Sequence, residues 1–185
     1  MPPVPTSEAE FRHEQMRIMR NLGIAFLFCG VLLGGAQLFL QDLIAFPGED
    51  LEGRLTFLAG ANLLLILWII IGVGMVSRGR RHSREDIAGS AYARPGPKIA
   101  LAAAFLQNTL EQAIIAVVVF SALVMLAGAV AIPFVAVSVL LFGVGRIAFL
   151  RGYPKGAGAR AFGMGVTMIP TLMGFVWAVV AMIAG

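Results

Sequence analysis

The chain has 185 residues, 59% hydrophobic and 13% charged, with a formal net charge of +4 and a mean hydropathy of +0.89. A soluble domain carries about twice that share of charge, so the composition argues against a soluble enzyme and for one integral membrane domain. Cys29 is the sole cysteine, which excludes an intrachain disulfide or a cysteine-based metal cluster; His13 and His82 sit in charged segments, and no metal is expected.

MPPVPTSEAE reads as a frayed tail, because its prolines and small polar residues offer no apolar face. FRHEQMRIMRN is either a short interfacial helix, with Phe11, Met16, Ile18 and Met19 towards lipid and Arg12, Arg17 and Arg20 towards headgroups, or a charged extension of the first membrane helix. No cleavable signal peptide is expected, since the first 20 residues are polar and the apolar run that follows is too long.

Five spans are predicted, and several of them reach the ~20 residues that cross a hydrocarbon core. The first covers 22–44, with glycines suited to close helix packing and Gln37 and Gln41 one turn apart near its outer end. The acidic loop FPGEDLEGR follows, with Pro47 and Gly48 as turn residues. The second span covers 55–76, with Asn62 packed between helices. The polar run RGRRHSREDIAGSAYARPGPK comes next, and beside a span its cations mark cytoplasmic retention and not a nucleic-acid partner. The third span covers 99–130, the fourth 132–149 after a tight turn at Gly128 and Pro133, and the fifth 161–184, kinked or loosened at Pro170. Four spans with a re-entrant or surface first segment are the alternative.

With the N-terminus inside, every Lys and Arg except Arg54 falls on the inner side, opposite Asp42, Glu49, Asp50 and Glu52. This positive-inside bias predicts a cytoplasmic N-terminus and an external C-terminus. A bacterial inner membrane is the expected location.

The third span carries Asn108, Glu111 and Gln112, which share one helical face at i, i+3 and i+4. Ionisable groups at membrane depth are costly and mark functional sites, so Glu111 is expected to be neutral or to meet a cation. Arg146, Arg151, Tyr153 and Arg160 follow the next span at the same inner level, with Phe149 on a face related to Arg146. A carboxylate, an amide and guanidiniums together suit a small zwitterionic or anionic ligand. The competing account is a helix–helix salt bridge with cations at lipid phosphates. Gly152, Gly156 and Gly158 read as turn residues, Lys155 as a headgroup contact and Ser138 as a packing residue.

NTLEQ, followed one span later by RIAFLRGYPKGAGAR, resembles the MAPEG family, the membrane-associated proteins in eicosanoid and glutathione metabolism. The resemblance lies in the asparagine and glutamate three apart, an arginine seven residues before a tyrosine, the glycine–tyrosine pair and an arginine seven residues after it. It implies an all-α, polytopic bundle of four membrane helices at 55–185; the preceding residues read as a cytoplasmic tail at 1–20 and an extra transmembrane helix with its acidic outer loop at 21–54, which is unusual for the family. It also implies a homotrimer in membrane lipid, with glutathione bound between subunits as a substrate. By position, Asn108, Glu111, Arg146 and Tyr153 would contact glutathione, with Gln112, Phe149 and Arg151 as additional pocket residues. Arg160 would be catalytic, stabilising the thiolate. The implied function is that of a transferase or peroxidase acting on a small apolar electrophile or lipid hydroperoxide. The alternative is a noncatalytic binding or interaction protein with a degenerate glutathione site. Three positions depart from the glutathione-using pattern: Ala104 stands where those relatives usually have an arginine, Leu106 where they often have a polar residue, and Phe149 where they have a tyrosine.

Overall fold

The computed structural model describes residues 7–40, 46, 50–92 and 94–185. The expected tail at 1–6, Gln41, Asp42, the end of the first span and the turn at Pro47 and Gly48 lie outside the described residues.

Five helices follow in chain order: α1 (Glu8–Gly35), α2 (Leu51–Arg81), α3 (Pro97–Ala127), α4 (Ile132–Gly152) and α5 (Ala157–Ala184). α1 begins well before the expected span. Ser7 caps it by accepting from the Glu10 backbone N–H at 3.2 Å, and the Glu10 carboxylate accepts from the Ser7 N–H at 3.3 Å. This reciprocal capping box satisfies two of the donors that a helix start leaves open. Residues 8–10 are therefore helical and not tail, and the following basic segment is the extension of α1, not a separate interfacial helix. A π-helical turn continues it over Ala36–Leu40.

α2 starts at Asp50, whose carboxylate accepts from the Gly53 N–H at 2.8 Å, and ends with Arg78, Arg80 and Arg81 in its last turn, where cations oppose the helix dipole. In the connection that follows, buried Asp86 accepts from the Ser83 hydroxyl at 2.6 Å and from the Gly96 N–H at 2.8 Å. Those two bonds hold its carboxyl below the usual range, the Ser83 hydroxyl first. They also fix the start of α3, where Pro97 occupies the first turn. Gly128, at φ 76°, turns the chain through a short 3₁₀ segment into α4, and a second 3₁₀ turn, Tyr153–Lys155, leads to α5.

α2 and α3 run antiparallel. A Cβ on Gly72 would meet Leu106 and one on Gly79 would meet Ile99, while the Asn62 amide donates to the Ser121 hydroxyl at 3.2 Å; together these pair α2 with α3 in opposite directions. Asn62 thus packs between helices as expected. α1 lies parallel to α5, with Asn21 at Gly158 and Cys29 at Val166. At the far end the Gln37 amide donates to the Val130 carbonyl at 3.1 Å. α5 runs unbroken through Pro170. Proline lacks the N–H that would bond to the Val166 carbonyl, and the Cys29 thiol lies 3.9 Å from that oxygen.

Among the described residues, four continuous helical stretches are long and apolar enough to cross a membrane: Glu8–Leu40, Leu51–Arg81, Pro97–Lys155 and Ala157–Ala184. The count differs from the five spans expected because α3 and α4 are joined through helical turns into one stretch of 59 residues. Only 22% to 33% of the most apolar window in each stretch is buried, leaving Leu27, Val31, Leu63, Ile70, Val118, Leu140 and Val180 exposed among others. Water would oppose apolar surface of that extent, whereas lipid solvates it. The chain is a polytopic helical membrane protein.

Candidate functional site

The polar groups converge where the C-terminal end of α4 meets the N-terminal end of α5. These helices approach closely because Gly163 lies at their crossing, where a Cβ would overlap the Phe149 backbone nitrogen and come 2.6 Å from the Gly145 carbonyl oxygen. A cavity of about 360 Å³ opens beside the crossing, lined by Ala104 and Asn108 of α3, Phe149, Tyr153, Ala157, Arg160, Ala161 and Met164, with Ile18 and Leu22 of α1 on the remaining side. The Arg160 guanidinium lies over the Tyr153 ring at 4.6 Å, a cation–π contact that orients it. Tyr153 in turn meets Phe149 edge-on at 5.5 Å.

Arg146 stands behind this cavity and is fully enclosed, with 0% exposure. Its Nη1 donates to the Asn108 carbonyl oxygen at 2.7 Å and its Nη2 to the Thr167 hydroxyl at 2.6 Å. The guanidinium packs over Phe149 at 4.9 Å and Phe142 at 5.4 Å. Its Nε is buried without a hydrogen-bond partner. The Asn108 oxygen is thus committed to Arg146, and its NH₂ group remains as a donor for the cavity it lines. Arg146 holds Asn108 without reaching the cavity itself.

The expected residues therefore divide. Asn108, Phe149, Tyr153 and Arg160 meet at one cavity, with Arg146 touching two of them. The expectation that Glu111 belongs to the same group is not met within the chain. Glu111 is exposed on the outward face of α3, where the Gln107 amide donates to it at 2.7 Å. The physical reason is helical phase at an edge: Asn108 is half-buried at the border of the packed face of α3, and Glu111, only about 60° further round the helix, falls just beyond that border on the exposed side. Gln112 is buried but does not line the cavity, and Arg151 is exposed. Ser138 donates to the Phe134 carbonyl within its own helix at 2.7 Å, which fits a packing role.

Several contributors are not predictable from the motif. Thr167 is one more small residue in an apolar helix until the fold sets it against Arg146. Ile18, expected to face lipid, lines the cavity, and Arg17, expected at headgroups, pairs with Glu14 at 2.8 Å. Gly158 serves more than a turn. Its N–H donates to Glu14 at 2.7 Å, its carbonyl accepts from Asn21 at 2.7 Å, and a Cβ there would come 2.7 Å from the Arg17 Cβ. Close approach of α1 requires that position to be bare.

No curated protein and no solved structure matches the chain. The sequence model of the MAPEG family matches residues 55–180, which run from the first turns of α2 into the last turn of α5 and include every α3–α5 residue of the cavity. On that match, and with the four-helix unit α2–α5 that it covers, the chain belongs to the MAPEG family.

Proposed function

We propose that the chain is a membrane-bound, glutathione-dependent transferase or peroxidase acting on an apolar electrophile or a lipid hydroperoxide. Family membership supports a glutathione-related membrane function. The observation that carries the more specific reading is the convergence of Asn108, Tyr153 and Arg160 on one cavity, with Arg160 stacked on Tyr153. In this reading the Asn108 NH₂ donates to a carboxylate or peptide oxygen of glutathione, and the Tyr153 hydroxyl supplies a further polar contact. The Arg160 guanidinium lies near the sulfur, where a neighbouring cation lowers a thiol pKa and favours the thiolate.

The thiolate attacks an electrophilic carbon, a C–S bond forms, and the leaving group departs with its electron pair. With a hydroperoxide, sulfur attacks the peroxide oxygen, the O–O bond breaks and the alkoxide takes a proton. A second glutathione thiol then reduces the sulfenic acid, giving the disulfide and water. Arg146 serves as a positioning residue through Asn108.

The same reading places the cation-rich end of the bundle in the cytoplasm, the C-terminus outside and the chain in a bacterial inner membrane. It makes α1 an additional transmembrane crossing and the assembly a homotrimer. Glu111 and Gln107, paired with each other on an outward face, then meet a neighbouring subunit instead of lipid, since an exposed carboxylate in hydrocarbon is costly. A noncatalytic binding protein is the second reading. Ala104 and Phe149 favour it, because both line the cavity where relatives that use glutathione have polar groups.

Titrating the purified protein with glutathione while following thiolate absorbance separates the two. Binding with thiolate formation, lost in Arg160→Ala, is expected; no binding at millimolar glutathione would refute both the reaction and the site. Binding with an unchanged thiol pKa would leave a binding protein. A dominant monomer or dimer on crosslinking in native membranes would refute the trimer. External protease removing a tag at Met1 while sparing one at Gly185 would reverse the topology.

A further inference from the structure

The family match starts at residue 55, yet the cavity is closed on one side by a helix that precedes it. Ile18 and Leu22 stand one turn apart on α1 and share a face, and both line the cavity. The helix that carries them is held in register. Glu14 and Asn21 bracket Gly158 through its N–H and its carbonyl, at 2.7 Å each, two residues from Arg160. One turn beyond Leu22, Ala25 is fully buried, and a Cβ on Gly165 would come 2.8 Å from the Ala25 Cβ and 3.1 Å from the Leu22 Cδ2. The contacts fix α1 on both sides of Leu22 along its length, so the apolar wall has a set distance from the Arg160 guanidinium.

We propose that α1 is a wall of the binding site, with Ile18 and Leu22 selecting a slender, unbranched apolar acceptor whose reacting end lies beside Arg160. The proposal rests on the glutathione reading for the identity of the second reactant. It assigns to α1 a role in specificity, beyond padding the bundle against lipid. A cavity of about 360 Å³ is near the small end of ligand pockets, which span about 300 to 1,000 Å³. The wall bounds the space beside Arg160 on the α1 side at that fixed distance, which suits a narrow chain laid along Ile18 and Leu22. Ile18, Leu22, Phe149 and Met164 present that chain with apolar surface.

The test uses the full chain in liposomes and a series of straight-chain 2-alkenals, one of which carries a diazirine on its alkyl chain. Thiolate sulfur adds to the β-carbon of the alkenal, the electron pair moves to the enolate, and a proton from water completes the adduct. Leu22→Ala is expected to raise the acceptor KM about 10-fold, the scale of a lost apolar contact in a specificity pocket, and to admit branched acceptors that the native chain rejects. Photolabelling is expected on the peptide containing residues 18–22, suppressed by excess unlabelled alkenal and reduced in Leu22→Trp. If labelling lands there but no acceptor is conjugated, the proposed reaction fails and the wall stands. Label confined to lipid-facing side chains overturns the wall, with or without turnover. So does an acceptor series unchanged by Leu22→Ala and Ile18→Ala.

Discussion

Thr167→Val tests whether Arg146 is held as a buried cation by neutral partners. Valine keeps the side-chain volume but removes the oxygen that accepts from Arg146 Nη2 at 2.6 Å. That hydroxyl also lies 2.9 Å from the Met164 carbonyl, to which it can donate, so it accepts from the cation and donates along its own helix. A hydrogen bond to a charged group contributes about 1.5–3 kcal/mol, whereas a neutral interhelical bond in a membrane averages about 0.6 kcal/mol. The charged case governs here, because the Nε is already buried without a partner and the substitution adds a second unpaired donor. The expected loss is about 2 kcal/mol, roughly a 30-fold change in the folding equilibrium.

Arg146→Met removes the charge and every unpaired donor together; Asn108 faces the cavity and can take water, and Thr167 retains its backbone bond. Replacing a buried charge by an apolar side chain of similar length is often nearly neutral, so this single change should cost less than Thr167→Val. In the Arg146→Met background, Thr167→Val should cost about 0.5 kcal/mol or less, leaving a coupling of about 1.5 kcal/mol in the double-mutant cycle. Equilibrium unfolding in mixed micelles, titrated with a denaturing detergent, measures all four proteins. Equal costs of Thr167→Val in the two backgrounds, or an Arg146→Met protein less stable than Thr167→Val, would refute the reasoning.

Asn108→Asp should strengthen the bond to Arg146, because the acceptor becomes charged. It should also weaken glutathione binding by turning a donor on the cavity wall into an anion; isothermal titration beside thermal unfolding shows both. Phe149→Tyr and Ala104→Arg, at lining positions, should each increase glutathione affinity, and an unchanged affinity in both would refute glutathione binding in this cavity. Asp86 gives a pH dependence. Its carboxyl is held below the usual range by the Ser83 hydroxyl and the Gly96 N–H, so its contribution is present above the ordinary Asp pKa of about 3.9. It is lost as pH falls through the lower folded value. The protection of the Gly96 amide, its exchange rate relative to the intrinsic rate at each pH, should fall on acidification through that window, and Asp86→Ala should remove the pH step.

The gathering of the cations at one end of the bundle and the apolar length of α2 to α5 were legible from residue order, because crossing lipid demands about 20 apolar residues in a row and leaves little freedom in where charge goes. Turn positions were legible too: Gly128 takes a positive φ, 76°, that other residues adopt with difficulty. The start of α1 was missed because Ser7 and Glu10 read as polar tail until seen as a reciprocal cap. Helix count also depends on the connection, since a 3₁₀ turn joins α3 to α4 into one continuous helical stretch.

For the site, residue order put Asn108, Tyr153 and Arg160 at one end of the bundle, where they line one cavity. What it could not assign was rotation. One helical phase turns Asn108 towards Arg146 and the same phase turns Glu111 outward to Gln107, so residues three apart came to serve different surfaces. Nor could it show that a helix outside the matched family region closes the cavity, because the bonds from Glu14 and Asn21 to Gly158 span 144 and 137 residues. The sequence by itself determined the solvent, the apolar length of the helices and the set of polar groups, since these follow from local composition. Only the tertiary structure decided which of those groups face one another, because that depends on helix rotation and long-range packing.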